Sequence, residues 1–387
     1  MRADGARPGL LLALALALAA CSGAPRGDCR PDPPPGEMGS LCGFRNPEDV
    51  EAVPSAGLLL VSQMHHGGAG GGSLAALSLE ESGPPRRLWP AEPSSAPRPT
   101  LRAPLGDPTC QVPPPAAGFW PHGLAASAPR ADGAVPVGVV VHGAREAIEL
   151  FDLVGAGAAA RLLWRGCLPL PEGVAGNDLV FAPEGGVVAS NYQPTLEGLR
   201  GAFHMVRGGL GLATGDVLRW RPGSGWEHLA GTAGPNPNGV LLSPDGGTVY
   251  FAQTGAGTVG VVELASGRRR EVAIGGHPDN LAWSPSGRVL AVTHSSGAAF
   301  LRCAVLRGPC RSAWSLFEID PESLAARELL HSDGQEVGGV ASVAEARGRT
   351  YFGAVFGDRI GVWRRAREGA AANSSTGTGA RSSPEAP

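Results

Sequence analysis

The chain has 387 residues, of which 43% are hydrophobic and 17% charged, so it is long enough to bury a substantial core. Its formal net charge is -3 and its basic residues are scattered, which excludes the basic surface that nucleic-acid binding requires. All 32 basic residues are arginine, and the absence of lysine excludes a Schiff base, a Ser-Lys dyad and a P-loop.

Residues 1–20 predict an export signal. Arg2 and Arg7 precede an apolar segment from Leu10 to Ala20, which is too short for a membrane span but has the length of a signal-peptide core. The tetrad LAAC, ending at Cys21, resembles a bacterial lipoprotein cleavage box, with ordinary signal cleavage as the alternative. We therefore expect lipid on Cys21, a Pro-rich, lipid-anchored linker over residues 21–42, and attachment to the membrane of the cell envelope.

Six cysteines remain after Cys21, an even number in a compartment that permits disulfides. Their spacing excludes the CxxC pairs of zinc and thioredoxin-like sites. Cys303 with Cys310 is the first expected pair because the two are close in sequence. Cys29 with Cys42 is the second, which leaves Cys110 with Cys167.

Short apolar runs separated by Gly, Pro, Asp and Ser favour an all-β fold, and six of these runs share one form. Each has an apolar run, a turn such as Ser-Pro-Asp-Gly, and a second run ending in aromatic or β-branched residues. The six segments begin at Asn46, Trp120, Gly176, Pro235, His277 and Gly338. This repetition predicts a six-bladed β-propeller over residues 43–366, followed by a disordered low-complexity tail over residues 367–387.

Polar residues stand at one position of the repeat, just before the first strand of each blade. Because these strands line the channel of a propeller, we expect the side chains to form a ring around one end of the axis. The sixth repeat, at Gly339-Val340, contributes nothing polar. The other five contribute the pairs Glu48-Asp49, His122-Gly123, Asn177-Asp178, Asn238-Gly239 and Asp279-Asn280.

The ring predicts two calcium sites in the channel. Its side chains offer hard oxygen ligands, which suit Ca²⁺ better than Zn²⁺ or Cu²⁺, and two carboxylates neutralise the charge of the ion. Buried carboxylates without a cation would destabilise the fold. The outer ion would be held by Glu48, Asn177, Asn238, Asp279 and Asn280. A deeper ion would be held by Asp49, Asp178 and the backbone carbonyl of Leu124.

The chain resembles the paraoxonase and arylesterase family, within the gluconolactonase-like (strictosidine synthase-like) superfamily. The motifs that carry the resemblance lie in order from Glu48 to Trp363: PEDVEAVP, WPHGL, VVVHGAREAIELFDL, GNDLVFAPEG, PNGVLLSPDGGTVYFAQ, PDNLAWSPSG and VASVAEARGRTYFGAVF. The resemblance implies a propeller with one catalytic and one structural calcium that hydrolyses lactones, aryl esters and, in some members, organophosphates. The C-terminal cysteine that closes the vertebrate propellers is missing here, so pairing between the sixth blade and the N-terminal segment is expected instead.

The resemblance also implies a histidine dyad, His122 with His142, and a further pocket histidine, His294. His122 would accept a proton from the attacking water, a contribution typically worth about 10²- to 10⁴-fold. Glu48 or Asp279 is the alternative base. A segment over residues 193–215 resembles the family's active-site insertion, in which Phe203, Met205 and Leu210 would wall the substrate pocket; a surface loop is the alternative.

Other catalytic motifs are either absent or stand in the wrong structural context. Gly255, Gly257 and Gly260 form a GxGxxG that leads into a strand rather than a helix, so it predicts a hairpin turn. The chain has neither the G-x-S-x-G nor the H-E-x-x-H motif. The sequence therefore predicts a monomeric, calcium-dependent hydrolase of lactones or of aryl or carboxylic esters. The alternative is a non-catalytic propeller that binds a protein or sugar and holds calcium only as a structural ion.

Overall fold

A computed structural model of the protein describes residues 28–66, 70–81, 83–91, 105–194, 198–306, 308–309 and 311–366. The described chain forms six β-sheets, and the inner strand of each sheet contacts the inner strands of its two neighbours in a closed circle. The predicted all-β, six-bladed propeller is therefore confirmed.

The blades follow one another along the chain. Blade one contains β2 (Pro47–Val53), β3 (Leu58–Gln63), β4 (Ser73–Ser78) and β5 (Arg86–Trp89). Blade two contains β6 (Leu105–Gly106), β7 (Phe119–Ala126), β8 (Val135–Gly143), β9 (Ala147–Val154) and β10 (Arg161–Pro169). Blade three contains β11 (Val174–Phe181), β12 (Val187–Pro194), β13 (Asp216–Arg221) and β14 (Gly225–His228). Blade four contains β15 (Pro237–Leu242), β16 (Thr248–Gln253), β17 (Thr258–Glu263) and β18 (Arg269–Ala273).

Blade five contains β19 (His277–Trp283), β20 (Val289–His294), β21 (Trp314–Ile319) and β22 (Ala326–Ser332). Blade six contains β23 (Val340–Ala346), β24 (Arg349–Ala354), β25 (Arg359–Trp363) and β1 (Met38–Cys42). Two helices interrupt blades: α1 (Gly198–Gly209) lies between β12 and β13, and α2 (Gly297–Leu306) between β20 and β21. Short 3₁₀ turns occupy Pro54–Ala56, Ala116–Gly118 and Gly157–Ala159.

The N-terminal strand closes the circle. β1 pairs antiparallel with β25, with Met38 opposite Trp363 and Cys42 opposite Arg359. The expected pairing between blade six and the N-terminal segment is thus present. The propeller includes Met38–Cys42 rather than beginning at residue 43, because β1 supplies the outer strand of blade six.

The apolar core lies between the blades. Six clusters of buried side chains occupy the six interfaces between neighbouring blades, including the interface of blades six and one. Between blades one and two, Phe119 and Phe151 pack edge to face with ring centroids 6.4 Å apart. Burying one such side chain stabilises the fold by about 1.5–3 kcal/mol. The blades are thus fixed relative to one another, which in turn fixes the inner strands around the channel.

Two predicted disulfides, Cys29–Cys42 and Cys110–Cys167, are present. Cys303 is disulfide-bonded, whereas its expected partner Cys310 lies outside the described residues. Disulfides are typical of an oxidising environment outside the cytosol, which agrees with export. The signal segment, lipid-bearing Cys21 and the tail over 367–387 also lie outside the described residues, so these stay predictions. Neither helix in the described part of the chain has the length and apolar character needed to cross a bilayer.

Candidate active site in the channel

Irregular strand pairing turns the polar ring towards the channel. In every blade, the register between the inner strand and its neighbour skips one or two residues near the start of the inner strand. The residues skipped in blades one to five are Glu48, His122-Gly123, Asn177-Asp178, Asn238-Gly239 and Asp279-Asn280. An unpaired residue bends the strand and re-aims its side chain, so each blade directs its ring residues inward.

Two glycines of the ring allow neighbouring blades to approach closely. A Cβ at Gly123 would lie 2.5 Å from the carbonyl oxygen of Asn177, and one at Gly239 would lie 2.5 Å from the Cα of Asn280. Any larger residue would push the adjacent inner strand outwards. The His-Gly and Asn-Gly pairs therefore combine one functional side chain with one backbone contact.

The outer ring side chains meet at the mouth of the channel. The Nδ2 of Asn280 donates to Glu48 Oε1 at 3.3 Å, and the Nε2 of His122 lies 3.7 Å from the same oxygen. The Nδ2 of Asn177 lies 3.4 Å from His122 Nε2. Asn238 stands on β15, between the strands that carry Asn177 and Asn280, and is buried with them.

Four oxygen atoms of this outer ring are buried without a hydrogen-bond partner. They are Glu48 Oε2, Asn177 Oδ1, Asn238 Oδ1 and Asn280 Oδ1. A buried acceptor left unpaired costs about 1–3 kcal/mol, so four in one place require a donor or a cation. Carboxylate and amide oxygens are the ligands that Ca²⁺ prefers. The residues present therefore fit the predicted outer calcium site.

The inner pair, Asp49 and Asp178, differs in its hydrogen bonding. Asp49 accepts from the N–H groups of Val50 at 2.8 Å and Leu124 at 2.7 Å. Asp178 accepts from Leu179 at 2.7 Å and from Val240 at 2.8 Å. All four carboxylate oxygens thus have a backbone donor, and in each residue one of the two donors belongs to the next blade. Leu124, predicted to contribute its carbonyl, contributes its N–H here.

Burial and mutual repulsion raise the pKa values of these acids. Burial, followed by the charges of Asp49, Asp279 and Asp178, raises the pKa of Glu48 well above its ordinary range. Burial raises the pKa of Asp49 to about 7, and burial together with Asp49 raises that of Asp178 well above its usual value. A bound cation favours the charged forms that burial opposes. The electrostatics therefore also favour a cation in the channel.

A chain of hydrogen bonds runs from the ring through two histidines to a glutamate. His122 Nδ1 lies 3.1 Å from His142 Nε2, and His142 Nδ1 lies 2.7 Å from Glu146 Oε2. Burial lowers the pKa of His122 well below its ordinary value, and the nearby His142 and His66 lower it further. His122 is therefore neutral at pH 7, with one ring nitrogen able to accept a proton.

His294 lies behind a ring residue. Its Nε2 is 2.7 Å from Asp279 Oδ2, and both side chains are buried. This contact holds the Asp279 carboxylate in place, so His294 supports a ring residue. His294 also stacks on Phe300 of α2, with ring centroids 4.1 Å apart.

Aromatic rings cover the side of the ring that has no polar side chain. Phe300 contacts Phe356 at 5.8 Å between centroids, and Phe356 contacts His66 at 4.8 Å. Phe356 follows β24 of blade six, where the ring has only Ala341 at the skipped position. The result is an apolar wall, formed by Phe300 and Phe356, beside the polar ring.

Two of the three side chains predicted to wall the pocket from the insertion are largely exposed. The segment does contain a helix, α1, but the side chains of Phe203 and Leu210 are 59% and 72% exposed. The side chain of Met205 lies outside the described part of the structure. Helix α2, which no sequence motif placed near the site, contributes Phe300 to the apolar wall.

Sequence reasoning missed three contributors besides α2. Glu146 stands in an ordinary loop sequence and His66 in a glycine-rich segment. Neither residue therefore belonged to a motif that would mark it as functional. Ser342 of blade six donates to the Glu48 carbonyl at 2.7 Å, so the sixth blade contributes a hydroxyl one residue beyond its skipped position. Among the described residues, no cluster of three or more His, Cys, Asp or Glu is arranged to hold a metal, because most of the ring's ligands are amides.

No family model matches the chain, and no curated protein matches it in sequence. Solved structures do match its fold. A gluconolactonase from Xanthomonas campestris is 17% identical, with a TM-score of 0.50 over 88% of this chain and 90% of that one. A candidate gluconolactonase is 14% identical, with a TM-score of 0.51 over 88% and 97%. A luciferin-regenerating enzyme is 12% identical, with a TM-score of 0.50 over 83% and 92%. At these identities the likeness establishes the six-bladed propeller along most of the chain.

Proposed function

We propose that this protein is a calcium-dependent hydrolase of lactones or of aryl or carboxylic esters. The observation that carries the proposal is the group of four buried, unpartnered oxygens beside His122, a half-buried histidine whose pKa lies well below its ordinary value. Two of the structural neighbours bear the name gluconolactonase, which supports a lactone as the first substrate to test. Export to the cell envelope agrees with the disulfides.

Glu48, Asn177, Asn238, Asp279 and Asn280 would hold the ion. When bound, calcium would act as a Lewis acid on the carbonyl of the substrate and stabilise developing negative charge by several kcal/mol. The second, inner calcium remains a prediction. Each carboxylate oxygen of Asp49 and Asp178 accepts one N–H and retains a further lone pair for a cation.

His122 is the proposed general base. Its Nε2 faces the ring, 3.7 Å from Glu48 Oε1 and 3.4 Å from Asn177 Nδ2, and so borders the place where a water would approach the carbonyl. Because the imidazole is neutral, it can accept the proton of that water as the water attacks. His142, hydrogen-bonded to Nδ1, holds the ring in place and would share the positive charge that follows.

Phe300 and Phe356 would bind the apolar part of the substrate. They lie on the one side of the ring without polar ligands, so an alkyl or aryl group placed there leaves the carbonyl facing the polar residues. Apolar walls with a few convergent polar groups are typical of small-molecule sites. The wall therefore favours lactones or esters that carry a hydrophobic substituent.

The test is hydrolysis of a panel of lactones and phenyl acetate by the purified protein, with calcium, with chelator, and with calcium restored. We expect turnover that chelation abolishes and calcium restores. Gln335→Ala, which removes an amide that hydrogen-bonds Asp333 far from the ring, is the control for general effects of amide loss. No turnover on any panel member with calcium present would reject the hydrolase in favour of a non-catalytic binding propeller.

A further inference from the structure

The hairpin between β8 and β9 places a carboxylate against His142. Val141 pairs directly with Ala147, so the next residues outward, His142 and Glu146, face each other at the end of the hairpin. Gly143, with φ +94°, begins the turn between them. The result is the 2.7 Å contact between His142 Nδ1 and Glu146 Oε2.

Neighbouring contacts keep Glu146 available for this histidine. Arg145, the adjacent residue, is held by Glu149 through two hydrogen bonds of 2.6 and 2.9 Å. The Leu170 N–H donates to the backbone carbonyl of Glu146 at 3.0 Å and fixes that end of the turn. The nearest arginine in sequence therefore does not neutralise Glu146.

The hydrogen bonds define which ring nitrogens carry protons. A carboxylate can only accept, so the Nδ1 of His142 must be the donor to Glu146. In the neutral imidazole, His142 Nε2 is then an acceptor, and the Nδ1 of His122 must donate to it. The remaining nitrogen of His122, Nε2, is left with a lone pair directed at the ring.

We propose that Glu146 is a positioning residue that fixes the tautomers of both histidines and thereby directs the basic nitrogen of His122 towards the substrate. Its catalytic consequence rests on the proposed function, whereas its effect on the tautomers does not. The resemblance to a known family implied only the two histidines. Carboxylates behind functional histidines act in this way elsewhere, by holding ring orientation and tautomer.

The experiment compares Glu146→Ala, Glu146→Gln, His142→Ala and the double variant His142→Ala/Glu146→Ala with the calcium-loaded wild type. We expect Glu146→Ala to lower kcat about tenfold or more with little change in KM, within the about 100-fold or larger contribution of a positioned base. Glu146→Gln should lose less, because its amide oxygen still accepts from Nδ1. In the His142→Ala background, Glu146→Ala should have no further effect, because the two act as one unit.

NMR of ¹⁵N-histidine-labelled protein provides a readout that a merely structural role would not change. Wild type should show His142 protonated at Nδ1 and His122 unprotonated at Nε2, and Glu146→Ala should show mixed tautomers for both. The matched control is Glu328→Gln, which removes a carboxylate 3.7 Å from His331 on the outer strand β22 and should change neither kcat nor these signals.

Unchanged kcat and unchanged tautomers in Glu146→Ala would overturn the inference. So would independent, multiplicative losses in the double variant, because Glu146 would then act other than through His142. If Glu146→Ala does not fold, Glu146→Leu, which fills similar space without an acceptor, decides the same question with the NMR readout. A wild type that hydrolyses nothing would reject the proposed function, while the tautomer comparison would still decide the role of Glu146.

Discussion

The outer and inner levels of the channel both carry buried oxygen-bearing side chains, but the two levels differ in how these oxygens are hydrogen-bonded. At the outer level, four oxygens of Glu48, Asn177, Asn238 and Asn280 are buried with no donor. At the inner level, every carboxylate oxygen of Asp49 and Asp178 accepts a backbone N–H, in part from the next blade.

The difference separates a level whose oxygens lack partners within the chain from a level whose oxygens are paired with backbone N–H groups. Unpaired buried acceptors lower stability unless a ligand satisfies them, so the outer level is arranged for something that the chain itself does not provide. The inner carboxylates connect blade one to blade two and blade three to blade four through N–H groups of Leu124 and Val240. We therefore expect outer variants to change activity and inner variants to change stability.

The largest effect should come from Asn238→Ala. Loss of one ligand oxygen should lower kcat/KM for the best lactone by about 100-fold or more, the size typical for loss of one group that stabilises a developing oxyanion. The calcium-free variant should unfold at the same denaturant concentration as calcium-free wild type or at a slightly higher one, because an unpaired buried amide has been removed. An unaltered kcat/KM would show that Asn238 is not part of the site.

Asp178→Ala, at the inner level, should instead lower the stability of the calcium-free protein. It leaves the N–H groups of Leu179 and Val240 without an acceptor, and we expect a loss of about 3 kcal/mol in the free energy of unfolding. Urea unfolding of this variant and of Asn238→Ala, both without calcium, compares the two levels directly. Equal stability losses in the two variants would remove the distinction between them.

Calcium should stabilise the protein through the outer level. At 100 times its dissociation constant, an ion that binds only the folded state adds about 2.7 kcal/mol to the free energy of unfolding. The rise in Tm on adding calcium should be large in wild type and much smaller in Asn238→Ala. A rise that is the same in both would place the stabilising ion away from Asn238, for instance at the inner pair Asp49 and Asp178.

A pH dependence of the calcium-free protein should accompany these effects. Burial raises the pKa of Asp49 to about 7 and that of Glu51, lower in the channel, to about 8. The folded state therefore binds more protons than the unfolded chain between about pH 4 and pH 8, so stability should fall as pH rises through this window. Thermal unfolding with chelator should show the decline, and saturating calcium should reduce it. A calcium-free Tm that rises through the same window would contradict the buried, uncompensated acids.

The sequence allowed the repeat and the ring to be predicted because both are local patterns. Asn238-Gly239 and its four counterparts precede apolar runs at one repeat position, and the propeller topology then requires them to meet. The skipped register could not be predicted, because whether Glu48 is paired depends on the alignment of β2 with β3. The role of Glu146 was also hidden, since a loop glutamate gains meaning only from the histidine opposite it.

The apolar wall gives a second case. Phe203 and Leu210 were reasonable candidates from their position in an insertion, yet both are exposed, whereas Phe300 and Phe356 pack beside the ring. Phe300 and Phe356 come from blades five and six, and their contact depends on where α2 packs. Sequence position alone did not distinguish the two pairs.

The sequence by itself determined the number of blades, the polar residues at one position of the repeat and the disulfides Cys29–Cys42 and Cys110–Cys167, and it led to the hypothesis of a hard cation, which stays a prediction. These follow from periodicity, residue chemistry and cysteine count, which are properties of the chain read in one dimension. Only the tertiary structure decided which oxygens are unpaired, which carboxylates brace neighbouring blades and which glutamate supports the histidines. Hydrogen bonds between residues distant in sequence, such as Asn280 to Glu48, 232 positions apart, and Ser342 to Glu48, 294 apart, depend on distances that exist only after the six blades have closed.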